Sequence, residues 1–308
     1  MKQVEIGSTG ITASAIVQGC MRINTMTISE IEKLVYQDLE NGINFFDHAD
    51  CYTDGECERL FGEVLKLHPD LRNNIKLQTK CGILTGELYY FDFSKNHILK
   101  AVDESLSRLS TDYIDFLLLH RPDALVEPED VAAAFDILQS SGKVLHFGVS
   151  NQNPGQMELL KKYVKQPLEI NQLQFSIMHT GMIDEGFSVN TKFEGSLNHD
   201  GSVLNYCRLH DCTIQAWSPF QYGFFDGPFL DNPKFPELNK KISQIAEKYQ
   251  VSGDAVAIAW ILRHPANMQA VIGSTNLKRL HNASKAGNIT LTRKEWYEIY
   301  HAAGNFIP

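Results

Sequence analysis

Residues 44–52 read Asn-Phe-Phe-Asp-His-Ala-Asp-Cys-Tyr. A short apolar run suits a strand buried on both faces, and here it stops abruptly in ionisable and polar groups. The pattern recurs along the chain. Runs suited to buried strands lie at Ala15–Gly19, Asn44–Asp47, Lys76–Lys80, Ile114–His120, His146–Ser150, Asn171–Phe175, Thr213–Trp217 and Ala270–Ile272. Each is followed by a helical pattern, or by a long loop leading to one. Eight strands alternating with helices predict a closed parallel (β/α)₈ TIM barrel, one domain over residues 1–308. The rival, a doubly wound open sheet, would carry a Gly-rich first βα turn. Gly7-Ser8-Thr9-Gly10 is not G-x-G-x-x-G. It reads instead as the turn of a β-hairpin between Lys2–Ile6 and Ile11–Ala13, placed to cap the bottom of the barrel.

The helices announce themselves by period and caps. Ile98, Ala101, Val102, Ser105, Leu106 and Leu109 form one stripe, with Ser94 as N-cap. Ser29-x-x-Glu32 and Thr292-x-x-Glu295 match the capping box. Val131–Leu138 runs to a stop at Gly142.

The chain has 308 residues, 43% hydrophobic and 21% charged, enough apolar content for a sizeable core. A net charge of −9 argues against nucleic-acid or anionic-membrane partners, which call for basic clusters. No 18-residue apolar run and no signal-peptide pattern at Met1–Gly10 point to a cytoplasmic protein. The six cysteines, at 20, 51, 57, 81, 207 and 212, include no C-x₂-C pair and read as free thiols.

Active sites of such barrels gather at the C-terminal strand ends. There the chain places Asp47, His48, Asp50 and Tyr52, then Lys80, then His120-Arg121, then Ser150-Asn151, Gln172 and Trp217-Ser218. Singly, each would pass for a structural ion pair or a rim residue. Together, Asp47, Tyr52, Lys80 and His120 form a proton-delivery set. A lysine beside a tyrosine favours phenolate and makes the phenol a better donor. A carboxylate can hold the lysine, and a histidine can orient a carbonyl oxygen. Such a set suits a developing alkoxide, as carbonyl reduction requires. Hydride would come from a cofactor, since no side chain supplies one.

In order along the chain, FFDHADCY, the lysine of LQTKCG, LLLHRPD, HFGVSN, NQLQFS, AWSPF and VIGSTNLKRL resemble the aldo/keto reductase superfamily. The chain is most similar to a bacterial branch known mainly as predicted oxidoreductases. The resemblance implies NADP(H) bound without a Rossmann motif and a small carbonyl substrate. Asp47, Tyr52, Lys80 and His120 match the catalytic tetrad, with Tyr52 the general acid. Ser150, Asn151 and Gln172 match the residues that hold the nicotinamide carboxamide, and Trp217 matches the aromatic stacked on its ring. Ser218 and Phe220 continue that loop. Gly273, Ser274, Thr275, Asn276 and Arg279 match the segment that grips the 2′-phosphate, and Gly19, Cys20 and Met21 line the same mouth.

The chain also departs from the pattern. Ser274-Thr275 stand where many members carry a lysine or arginine, and Asn282-Ala283 where many carry Glu-Asn. Arg121 replaces a tryptophan of the aldose-reductase-like members, which predicts a more polar substrate pocket. The loops Ile177–Ser202 and Gln221–Leu238 are expected to set substrate choice, with Met178 and His179 candidates for the pocket wall and Tyr222–Phe225 a candidate belt over the cofactor. Two other readings stand beside the reductase. A cofactor-sensing regulatory protein of this fold would have an eroded tetrad, but His120 is in place. A metal-dependent hydrolase using His48, Asp50 and His120 lacks a coherent ligand set, so no metal is expected. The sequence leaves the oligomeric state open.

Overall fold

The computed structural model describes residues 1–308. Strands β1 (Gln3–Glu5) and β2 (Thr12–Ser14) form an antiparallel hairpin. Then come β3 (Ile16–Gly19), β4 (Phe45–Asp47) and β5 (Lys76–Cys81), a two-stranded ribbon of β6 (Ile83–Leu84) and β7 (Tyr90–Phe91), and β8 (Ile114–Leu119). The chain continues with β9 (Val144–Ser150), β10 (Leu168–Gln174), β11 (Thr213–Trp217) and β12 (Met268–Ile272). The eight parallel strands close into a barrel in the order β3-β4-β5-β8-β9-β10-β11-β12, with β12 paired back to β3. All eight expected strands are present.

The hairpin seals the end of the barrel where the strands begin. The Gly7 amide donates to Thr213 Oγ1 (2.8 Å) and the Ser8 amide to Glu169 Oε2 (2.7 Å), both near strand starts. Gly7 sits at φ +53°, and a Cβ there would lie 2.1 Å from Glu169 Oε2, so the turn requires glycine.

Helices pack their apolar stripes onto the outside of the strands. In Lys95–Leu109 the buried residues are those of the expected stripe, and the Ser94 hydroxyl accepts from the His97 amide. The Thr292–Glu295 capping box forms, and Gly142, at φ +73°, follows the helix Pro128–Ser140. One cap differs from expectation. The helix Ile28–Glu40 is opened by Thr27 and Glu30, not by Ser29 and Glu32. Both pairs match the same pattern, and the helix takes the earlier one, with Ile31, Leu34 and Val35 on its buried face.

The loop Ile177–Ser202 also differs from expectation. It carries a short helix, Gly181–Phe187, and is tied down by the C-terminal segment: Tyr300 Oη donates to Asp184 Oδ1 (2.5 Å) and Asn305 Nδ2 to the Ile177 carbonyl (3.1 Å). Its residues, Met178 and His179 among them, lie outside the cavity described next.

Candidate active site

A cavity of about 730 Å³ opens at the C-terminal ends of the strands. Asp47, Tyr52 and His120 line it, and Lys80 lies fully buried beneath them. β4 supplies Asp47 at its last residue and β5 supplies Lys80 one residue before its end. Tyr52 follows β4 in a turn where Thr53, Asp54 and Gly55 all have positive φ before the helix Glu56–Leu67 begins.

Lys80 Nζ is the hub. It donates to an Asp47 carboxylate oxygen (2.8 Å), the His48 carbonyl (2.8 Å) and Tyr52 Oη (3.0 Å). Burial pulls the ammonium down, but Asp47 and Tyr52 outweigh it and hold Lys80 above its ordinary value. Burial pushes the Tyr52 phenol up to about 12, and the charge of Lys80 opposes that rise without cancelling it. The lysine lowers the phenol's pKa as the sequence suggested, but burial, which the sequence did not reveal, outweighs it. At neutral pH the pair is ammonium and phenol.

His120 is held well below the ordinary histidine range by burial, then by Lys80 and Arg121, so its ring is neutral. Cys51 Sγ lies 3.6 Å from His120 Nδ1. Burial pushes the thiol up to about 12, so it stays protonated and can donate to that nitrogen. A donor at Nδ1 leaves the ring proton on Nε2.

Below the tetrad lies an amide layer not foreseen from the sequence. Gln18, Gln78, Gln172, Gln215 and Gln269 are all buried inside the barrel. Gln78 Nε2 donates to Asp47 Oδ1 (2.6 Å) and to Gln215 Oε1 (2.8 Å). Gln215 Oε1 also accepts from Gln172 (3.0 Å), and Gln215 Nε2 reaches Gln269 (3.0 Å). Isolated glutamines in apolar strands were the available signal. Their partners, up to 137 residues apart, were not legible.

All but one of the residues matched to cofactor binding line the cavity: Gly19, Met21, Ser150, Asn151, Gln172, Trp217, Ser218, Phe220, Gly273, Ser274, Thr275, Asn276 and Arg279. Cys20 does not. Its side chain is buried and its thiol donates to the Gln18 carbonyl (3.7 Å), so the backbone beyond β3 packs it away from the mouth. Ser150 Oγ donates to the Gln172 carbonyl (3.0 Å), Asn151 Nδ2 to Ser150 Oγ (2.7 Å) and Trp217 Nε1 to Asn151 Oδ1 (3.1 Å). Asn151 and Ser218 both hold left-handed backbone, φ +57° and +53°, the kind of strain that clusters at functional sites. Arg279 is steadied by Asp254 (3.4 Å), and its backbone amide donates to the Asn276 cap. The sequence reading missed Arg22, Thr85 and Tyr89, which also face the cavity, and Phe224 and Phe225 join its wall. Among all residues, no group of three His, Cys, Asp or Glu is placed to hold a metal ion.

A closed parallel barrel carries a buried Lys–Asp–Tyr hub at its C-terminal mouth, the architecture of a barrel oxidoreductase. The chain belongs to the aldo/keto reductase family, whose model matches residues 15–303. It is 35% identical to the uncharacterized oxidoreductase YcsN of Bacillus subtilis, covering 95% of each chain. It is 32% identical to the oxidoreductase YdhF of Escherichia coli, covering 98% of each, which places it in that bacterial branch. A 6-dehydroglucose reductase of Agrobacterium fabrum is 32% identical over 94% of each chain. Among solved structures, the thermostable aldo-keto reductase Tm1743 superposes with a TM-score of 0.80 at 21% identity, covering 98% of this chain and 100% of that one. A Klebsiella pneumoniae aldo/keto reductase, solved with NADP and acetate, gives 0.78 at 20% identity, covering 99% and 96%. These two likenesses show the shared fold.

Proposed function

We propose that this protein is an NADPH-dependent reductase of aldehyde or ketone carbonyls, with Tyr52 delivering the proton to the forming alkoxide. The observation that carries this reading is the Lys80 hub, an ammonium bound at once to a carboxylate and to a phenol that faces the cavity. Tyr52 Oη is the donor. Lys80 stabilises the phenolate left behind, Asp47 holds Lys80, and His120 offers Nε2–H to the carbonyl oxygen.

The residues at the mouth fit a dinucleotide phosphate. A Cβ built on Gly273 meets nothing within 4 Å, so the backbone there is open to a close approach. The helix Leu277–Ser284 begins just beyond, and Arg279 adds a half-exposed guanidinium for a 2′-phosphate. Ser150, Asn151 and Gln172 present amide and hydroxyl groups suited to a carboxamide, and Trp217 presents a ring. When bound, the reduced nicotinamide supplies the hydride. The names of the relatives, oxidoreductases and a 6-dehydroglucose reductase, agree with reduction of a small carbonyl compound.

The test is direct. The protein is mixed with NADPH and a panel of aldehydes, dicarbonyls, quinones and ketosteroids, and absorbance of the reduced nicotinamide is followed. Turnover of any member, lost in Tyr52→Phe, supports the reading. NADPH binding with no turnover of any carbonyl would favour the cofactor-sensing alternative.

A further inference from the structure

Arg121 follows the candidate catalytic histidine directly, and its guanidinium carbon lies 5.8 Å from the Trp217 ring centroid and 6.0 Å from that of Phe224. All three residues line the cavity. Both rings lie within cation–π reach of the guanidinium, and neither they nor any other group takes up its N–H donors. No carboxylate pairs with it, and burial pulls it down from its ordinary value.

The wider cavity has the same bias. Arg22, Arg121 and Arg279 line it, and its one acidic lining residue, Asp47, is already committed to Lys80. The chain as a whole carries −9, so this positive concavity runs against the average charge. Such a site concentrates anions. Arg279, paired with Asp254 beside the strand-end loop after β12, serves the cofactor end. Arg121, joined to His120 and beside the ring of Trp217, belongs to the carbonyl end.

We infer that Arg121 is the anion-binding group of the substrate pocket, and that the preferred substrates are carbonyl compounds carrying a carboxylate or phosphate a few bonds from the reacting carbon. This rests on the carbonyl-reductase reading. A planar guanidinium fork matches either anion with two parallel hydrogen bonds.

The test compares matched pairs in NADPH-dependent turnover: 4-oxobutanoate against butanal, 4-carboxybenzaldehyde against 4-carbamoylbenzaldehyde, and glyceraldehyde 3-phosphate against glyceraldehyde. The wild type should favour the anionic member by about 10- to 150-fold in kcat/KM, the range of a charge-assisted contact. Arg121→Met should collapse that ratio towards one, and Arg121→Lys should restore only part of it. The carboxylate and phosphate pairs separate the two anion sources.

A second readout needs no turnover. Benzoate should perturb Trp217 fluorescence in the wild-type NADP⁺ complex and benzamide should not, with the benzoate response lost in Arg121→Met. If both members of every pair turn over equally in the wild type, or if Arg121→Met slows both equally, the inference fails while carbonyl reduction stands. If no carbonyl of either charge is reduced, the reductase reading itself falls, and the inference with it.

Discussion

Replacing Tyr52 by phenylalanine deletes one oxygen, the atom 3.0 Å from Lys80 Nζ, and keeps the ring that packs edge-on to His120 at 5.8 Å between centroids. Lys80 retains two of its three partners, the Asp47 carboxylate and the His48 carbonyl, both at 2.8 Å. The fold should therefore lose only one hydrogen bond, about 0.5–1.5 kcal/mol. Catalysis should lose far more. General acid catalysis is worth roughly 10²–10⁴-fold, which raises the barrier by about 2.7–5.4 kcal/mol. The cofactor-facing residues are untouched, so NADPH affinity should hold. Single-turnover reduction is the assay of choice, because slow cofactor release would otherwise hide the chemical step. Lys80→Met provides the contrast. It strands a buried carboxylate and should cost about 3–5 kcal/mol in stability besides the activity. A folded Tyr52→Phe enzyme keeping more than about a tenth of the wild-type single-turnover rate would refute the assignment and pass the role to His120.

Three further outcomes are expected. NADPH should bind about 10- to 150-fold tighter than NADH, and Arg279→Ala should erase most of the difference; equal dissociation constants in a wild-type fluorescence titration would contradict the 2′-phosphate site. Gln78→Leu removes the 2.6 Å donor to Asp47 and should destabilise the protein by about 1–3 kcal/mol in urea unfolding, whereas a gain in stability would show that the carboxylate does not need it. His48 is fully buried with neither ring nitrogen partnered, and burial, then Lys80, pulls it down to about 3. Its folded pKa is below the unfolded value near 6.5, so stability is intact above that pH and lost as pH falls towards 3, while the unfolded chain takes up a proton the fold refuses. At about pH 5 that loss is ~2 kcal/mol, and His48→Phe should abolish that part of it; an unchanged pH dependence in the variant would place the acid sensitivity elsewhere.

The barrel was legible because its signal is local. Strands buried on both faces must be apolar throughout, and at the mouth they must end in whatever the site requires, so runs such as Phe45-Phe46-Asp47 and Leu117-Leu118-Leu119-His120 carry both fold and chemistry. The same local logic located the hairpin turn at Gly7 and the stripe on Lys95–Leu109. It failed where two local patterns overlap: Thr27–Glu30 and Ser29–Glu32 both match the capping box, and the pattern alone does not say which one forms.

Closure of the barrel decided the rest, since it joins residues far apart in the chain. It set Gln78 between Asp47 and Gln215, gave the loop after Phe175 to the C-terminal segment instead of the cavity, and turned Cys20 inward. It also set burial against the expected pull of Lys80 on Tyr52, because desolvation depends on what surrounds a group and no spacing along the chain records it. The residue types of the candidate site were thus written in the sequence, whereas their ionisation, their partners and the free guanidinium of Arg121 follow from which surfaces exclude water once eight strands meet.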